Sequence, residues 1–158
     1  MNTENVDEKY LTVRLNDELY AMPVVAVREI VRFSKVTPIP QMPSHVLGVI
    51  NLRGKVIPIV DLRVRFALPA AVVERTCVVV VHTVRESGGC TTMGLVVDGV
   101  EEVGLIPAKD IEPPPSWSGT VSSQFMAGIA RVKGSVKMLL DVKRLISPAA
   151  IEMAAVAA

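Results

Sequence analysis

Gly48-Val49-Ile50-Asn51-Leu52-Arg53-Gly54-Lys55-Val56-Ile57-Pro58-Ile59-Val60-Asp61-Leu62-Arg63-Val64-Arg65-Phe66 decides the fold. Two apolar runs, Val46–Leu52 and Val56–Leu62, flank a polar break at Arg53-Gly54-Lys55. Val and Ile dominate both runs, and such side chains suit a pleated, half-buried surface. Gly54 reaches positive φ without a Cβ penalty, so the break predicts a tight hairpin turn. Pro58 has no N–H to give a ladder, which predicts an edge or a bulge at that strand. Asp61 fits a helix N-cap, with Leu62–Phe66 as a single turn. Folding gives no reason for Arg53, because a strand-end loop has no need of a guanidinium; the ordinary role for such a residue is a solvated turn charge.

Working outward, Leu11, Val13 and Leu15 alternate with polar residues and predict a half-buried strand. Asn16-Asp17-Glu18 turns it back into Leu19–Met22, which Pro23 stops. Val24–Arg32 fits either a short amphipathic helix or a turn passing into a strand. Val36–Pro40 is extended, since each proline biases its predecessor away from the helical region. Ala67–Glu74 reads as a linker between two lobes. Thr76–Val81 is almost wholly apolar, which predicts a strand covered on both faces. Arg85–Thr92 reads as an exposed loop, Met93–Val97 as a buried strand, and Asp98-Gly99 as a turn into Val100–Ile106. Pro113–Pro115 stops regular hydrogen bonding and leaves Asp110–Ser122 as a long surface loop, with Trp117 anchoring it to the core. Phe125–Val132 and Val136–Leu140 form a last hairpin, closed by a helical turn that Asp141 caps. Nine or ten short strands with scraps of helix predict an all-β barrel or pair of barrels.

The bulk composition narrows the function. Half of the 158 residues are hydrophobic but only 4% are aromatic, so the core is aliphatic and stacking platforms for single strands are scarce. Net charge is +1, from 17 basic and 16 acidic residues, which gives no general drive toward nucleic acid or anionic membrane. Cys77 lies in an apolar run and reads as a reduced, packed thiol. No apolar run approaches the roughly 18 residues that span a bilayer, and residues 1–8 carry no secretory pattern, so the expectation is a soluble, cytoplasmic chain. A metal site from His45, His82, Cys77 and Cys90 lacks any short ligand spacing. Glu101 and Glu102 would point to opposite faces of a strand. No nucleophile elbow or phosphate loop occurs. The expectation is therefore no enzyme and no cofactor, with a small metal-binding barrel enzyme as a remote alternative. A compact β protein without such chemistry acts through its surface and strand edges.

Val27-x-Glu29-Ile30, Gly48 through Gly54, Pro58-Ile59-Val60-Asp61-Leu62-Arg63, Val96-Val97-Asp98-Gly99-Val100, and finally Gly128-Ile129 with Met138-Leu139-Leu140-Asp141 occur in that order. The set resembles the CheW adaptor family of bacterial chemotaxis, over about residues 9–147. The resemblance implies an all-β fold of two SH3-like five-stranded barrel lobes sharing a hydrophobic core. The first lobe would take about residues 10–66 plus the closing turn 141–146, and the second about 74–140. Residues 1–8 would be a loose leader and 148–158 an alanine-rich tail. It implies a non-enzymatic scaffold between methyl-accepting chemoreceptors and a CheA-type histidine kinase, or the same role in a system controlling pili, surface motility or a second messenger. By the same resemblance, a receptor tip would dock in a groove between the lobes, formed by Val27, Glu29, Gly48, Ile50, Asn51 and Arg53 and faced by Val97, Asp98 and Gly99. Arg53 would give charge-assisted bonds to the tip, or Glu29 would hold Arg53 in place. Candidates for kinase contact are Val36, Ile39, Asp61 and Arg63.

Overall fold

The structure is a computed structural model that describes residues 7–84, 87–114 and 122–146. Trp117 and the tail from residue 147 lie outside the described residues. Eleven strands are present among those described: β1 (Glu8–Leu15), β2 (Glu18–Pro23), β3 (Val27–Arg32), β4 (Val46–Leu52), β5 (Lys55–Asp61), β6 (Cys77–Val84), β7 (Cys90–Val97), β8 (Gly99–Ile106), β9 (Ile111–Glu112), β10 (Met126–Val132) and β11 (Ser135–Leu140). Two one-turn helices, α1 (Leu62–Arg65) and α2 (Val142–Leu145), follow β5 and β11. Asp61 and Asp141 cap them as expected, each accepting a bond from a helix backbone N–H. Val24–Ala26 is a 3-10 turn that leads into β3, so the open choice there resolves to turn-then-strand. β7 begins at Cys90 and β9 takes Ile111–Glu112, paired with β10, so the loops expected over Arg85–Thr92 and Asp110–Ser122 both give up residues to strands.

The strands form a six-stranded sheet, ordered β8-β1-β2-β11-β10-β9, and a five-stranded sheet, ordered β3-β6-β7-β5-β4. The fold is all-β with two sheets, as expected, although the strand numbers are six and five and, among the described residues, no backbone pairing joins the two edges of either sheet. The contiguous division into lobes does not hold. β1 and β2 belong with β8–β11, and β6 and β7 belong with β3–β5. Ala67–Glu74 therefore joins α1 to β6 within one lobe. The cause is a reciprocal exchange. β3 leaves the β1–β2 hairpin to pair with β6, and β8 leaves the β6–β7 hairpin to pair with β1. Both exchanged pairs carry a bulge at the same place, between Val27 and Glu29 in β3 and opposite Val100–Glu102 in β8.

β5 is an interior strand, so the edge alternative for Pro58 fails, while the β4–β5 ladder does shift register close by, between Val46 and Gly48 opposite Ile59–Val60. The proline is tolerated because it faces Val49 of β4 while the parallel ladder with β7 begins only at Ile59.

Burial explains the apolar runs. Val79 and Val81 of β6, with Met93, Leu95 and Val97 of β7, enter a core shared with Leu11, Val13, Leu15 and Met22. The alternate residues Val78, Val80 and Val96 turn into the five-stranded lobe against Ile57 and Ile59. Ala21, Ile106, Ala130 and Leu139 fill the other lobe. A strand that serves two cores needs apolar residues on both faces, which is why Thr76–Val81 does not alternate. Tyr20 stacks on Phe66 at 5.8 Å, and Phe66 meets Phe125 at 6.4 Å, so three of the few aromatics bridge the sheets.

Candidate functional site: the rim at Glu29 and Arg53

β3 and β4 are the two edges of the five-stranded sheet. Val31, Phe33 and Val36 from one side and Leu47, Ile50 and Leu52 from the other pack on the same interior cluster. The sheet is thereby curled until its edges approach. Arg53, at the β4–β5 turn, crosses the remaining gap. Its Nη1 donates to Glu29 Oε2 at 2.5 Å and its Nη2 to Glu29 Oε1 at 2.7 Å. The turn is built for this: Arg53 has φ +53, Gly54 has φ +85, and Asn51 Oδ1 accepts the Gly54 N–H at 2.8 Å. The Arg53 hydrogen bond and its charge hold the Glu29 carboxyl below its usual range, and the same bond raises the guanidinium further. Glu29 thus stays ionised well into mild acid. The Arg53 side chain is still 74% exposed, so its remaining N–H donors face outward.

Beside this fork lie Ile30, exposed on β3, and the half-buried Val27 and Ile50. The result is a rim with an oriented cation, a spent carboxylate and aliphatic neighbours. It suits recognition of a polar group at the edge of an apolar segment, and it holds no pair of groups arranged for proton transfer.

Other sequence candidates sit elsewhere. Val97 is fully buried in the shared core and cannot receive a partner's side chain. Asp98 lies between β7 of the five-stranded sheet and β8 of the six-stranded one, and Gly99 begins β8, so both sit at the crossing between the lobes. Asp61 and Arg63 are 3% and 1% exposed, so they are not available as kinase contacts. Arg63 Nε and Nη2 donate to Asp61 at 3.0 and 2.9 Å, and Nη1 donates to Asp98 Oδ1 at 2.6 Å and to the Ala71 carbonyl at 2.8 Å. Asp98 Oδ2 also accepts the Asn16 N–H at 2.7 Å. This group is a clamp at the strand crossing, and sequence reading missed it. Gly48 has a packing role as well, because Thr37 bridges to Val49 directly over it.

The four metal candidates do not assemble. Cys90 Sγ lies 3.7 Å from His82 Nδ1, and among the described residues no three His, Cys, Asp or Glu side chains form a metal cluster. Burial raises the Cys77 thiol. His45 is lowered, by burial first and by the Arg65 charge second. Folding therefore favours its neutral form. Stability should be full above pH 6.5, the ordinary value, and fall as pH drops from there toward the lower folded value. Urea titrations between pH 8 and 5 should show a loss below about 1 kcal/mol, given partial exposure. The His45→Gln variant should flatten that part of the profile.

Comparison with known proteins agrees with the architecture. The family model described as CheW-like domain matches residues 9–150. The chain is 34% identical to Chemotaxis protein CheW of Klebsiella aerogenes over 144 residues, covering 91% of this chain and 84% of that one. It is 33% identical to Chemotaxis protein CheW of Rhizobium meliloti (87% and 86% covered) and 31% identical to Protein FrzA of Myxococcus xanthus (90% and 88%). Among solved structures, the scaffolding protein TtCheW from Thermoanaerobacter tengcongensis superposes with TM-score 0.76 at 32% identity, covering 85% of this chain and 89% of that one. A model spanning nearly all of the described chain, and several relatives above 30% identity, place it: the chain belongs to the CheW-like domain family.

Proposed function

We propose that this chain is a chemotaxis coupling scaffold that binds the cytoplasmic tip of methyl-accepting chemoreceptors and the regulatory domain of a CheA-type histidine kinase. Family membership over residues 9–150 carries the reading. The rim supports it, since Arg53 is held in a bidentate fork yet remains open to a partner. No catalytic step is assigned to the protein. It works in the cytoplasm, recruited to receptor arrays, and no helix among the described residues is long and apolar enough to cross a membrane. Receptor contact falls to Val27, Glu29, Ile50, Asn51 and Arg53. Kinase contact falls to Val36 and Ile39, which stay at least partly exposed once Asp61 and Arg63 are removed from the surface.

Calorimetry against a soluble receptor tip fragment and, separately, the kinase's regulatory domain tests this. Arg53→Glu should leave the circular dichroism spectrum intact, weaken receptor binding roughly tenfold to a hundredfold, and spare kinase binding, as expected for losing hydrogen bonds from a charged donor. Unchanged receptor affinity in a folded Arg53→Glu variant would overturn the assignment. The kinase that binds also identifies the output served, swimming or another.

A further inference from the structure

The two halves of the chain repeat one another. Gly48, Arg53-Gly54 and Asp61 match Gly128, Lys133-Gly134 and Asp141 in both spacing and backbone, with φ +53 and +51 at Arg53 and Lys133. The ladders repeat as well. Ile59 faces Gly94, Gly94 faces Val80 and Val80 faces Glu29. In the other half Leu139 faces Ala21, Ala21 faces Thr12 and Thr12 faces Glu102. Glu102 and Lys133 therefore stand in the six-stranded lobe where Glu29 and Arg53 stand in the five-stranded one. In the same register Lys137 replaces Ile57, and Thr12 replaces Val80.

The replacements change what fills the lobe. Ile57 and Val80 are core residues packed with Ile50 and Leu52, and the Arg53–Glu29 fork spans the edges of that sheet. In the six-stranded lobe Lys137, opposite Ala130 and Leu19 in its two ladders, is 5% exposed, and Thr12 is 1% exposed. Beside them is a cavity of about 290 Å³, lined by Thr12, Arg14, Glu102, Lys133, Ser135 and Lys137, among others. Lys137 Nζ donates to Thr12 Oγ1 at 2.9 Å and to Glu102 Oε2 at 3.1 Å, which uses two of the three ammonium N–H donors. The hydrogen bond and charge of Lys137, and behind them the Lys133 charge, hold the Glu102 carboxyl below its usual range, so it is ionised. Arg14 and Glu101 are paired with each other. Lys133 makes no hydrogen bond or ion pair among the described residues. The walls thus carry three cations against two carboxylates, and each carboxylate already has a cation. The third N–H of Lys137 and the Thr12 hydroxyl proton find no acceptor among the described residues, and a buried donor left in that state is costly.

We propose that this cavity binds a small oxyanion, a carboxylate or phosphate group, received by the Lys137 ammonium and the Thr12 hydroxyl within the lobe and by Lys133 and Ser135 at its entrance. The surplus cation favours an anion over a neutral ligand. The end of a curled sheet is a common place for such a site, and the volume suits a small molecule. The bound anion ties the β10–β11 turn to β11 and β1, and so supplies to this lobe the link that the Arg53–Glu29 fork supplies to the other.

Amide and lysine side-chain resonances of the full chain, titrated with sodium acetate and separately with sodium phosphate, test this against sodium chloride at equal ionic strength. The Thr12, Lys133, Ser135 and Lys137 signals should shift and saturate with at least one of the two oxyanions and stay in place with chloride. Saturation by acetate alone, by phosphate alone or by both supports the site and identifies the group it prefers. Lys137→Met, which gives the lobe the apolar character that Ile57 gives the other, should abolish saturation while the sheet spectrum is retained. Lys133→Ala, at an exposed turn, should leave the fold untouched and weaken binding several-fold. The proposal is overturned if neither oxyanion saturates those signals, or if chloride shifts them equally. Saturation that persists in Lys137→Met, or an unchanged affinity in Lys133→Ala, overturns it as well. None of these readouts involves receptor or kinase binding.

Discussion

Replacing Arg63 with alanine is expected to cost about 3–5 kcal/mol of stability, the range for removing one partner from a buried ion pair. At 1% exposure the guanidinium has exchanged water for two carboxylates and a carbonyl. Its removal leaves Asp61 and Asp98 facing each other without compensation. The damage also spreads across the lobes, because Asp98 holds the β1–β2 turn through the Asn16 N–H and its own N–H donates to the Arg14 carbonyl at 2.9 Å. Urea denaturation measures the loss. A companion variant makes the cause explicit: Arg63→Met with Asp61→Asn and Asp98→Asn removes the charges together and should be less damaging than Arg63→Ala alone, since neutral groups of similar size leave no buried charge unpaired. A loss below 1 kcal/mol in Arg63→Ala would mean that the cluster is solvated in solution.

The elements were legible in the sequence wherever one local rule governed. The hairpin at Arg53-Gly54, the Asp61 and Asp141 caps and the doubly covered Thr76–Val81 run all follow from turn chemistry, capping and apolar patterning. The partnership of strands was not legible in that way. Antiparallel neighbours in sequence suggest contiguous lobes, and nothing local tells β3 to leave β2 for β6. A longer-range feature was available, the repeat of Gly48 through Asp61 in Gly128 through Asp141, and a repeat predicts a two-fold arrangement in which an exchange becomes natural. The candidate site divides the same way. Arg53 stood out because its turn had no use for it. Arg63 was hidden because a helical-turn arginine beside its capping aspartate looks like surface, and its burial depends on Asp98 and Ala71 arriving from elsewhere. Asp98 was explained too easily as a turn former.

Gly48→Ala is the second large effect, expected at about 2–5 kcal/mol from overpacking and backbone strain together. Gly48 has φ +144, and a Cβ there would stand 2.0 Å from the Thr37 carbonyl oxygen and 2.8 Å from Pro38 Cα. Both obstacles are backbone, so no rotamer change relieves them. The carbonyl is also committed, since it accepts the Val49 N–H while the Thr37 N–H donates to the Val49 carbonyl, each at 2.9 Å. The chain must therefore lift residues 36–38 from β4 and lose that bridge. Gly54→Ala is the control: its φ of +85 carries strain, but no atom lies within 4 Å of the new methyl, so only about 1 kcal/mol should be lost. Urea midpoints should separate the two variants, and hydrogen exchange should rise at the Thr37 and Val49 amides in Gly48→Ala alone. Equal stability in both variants would mean that the 36–38 segment does not lie over β4. The distinction bears on function because Gly48 has no side chain to offer a receptor. Any binding lost in Gly48→Ala must come through displacement of Val36 and Ile39 on one side and Ile50 and Asn51 on the other. Kinase and receptor affinities should then fall together, whereas Arg53→Glu should lower only the second.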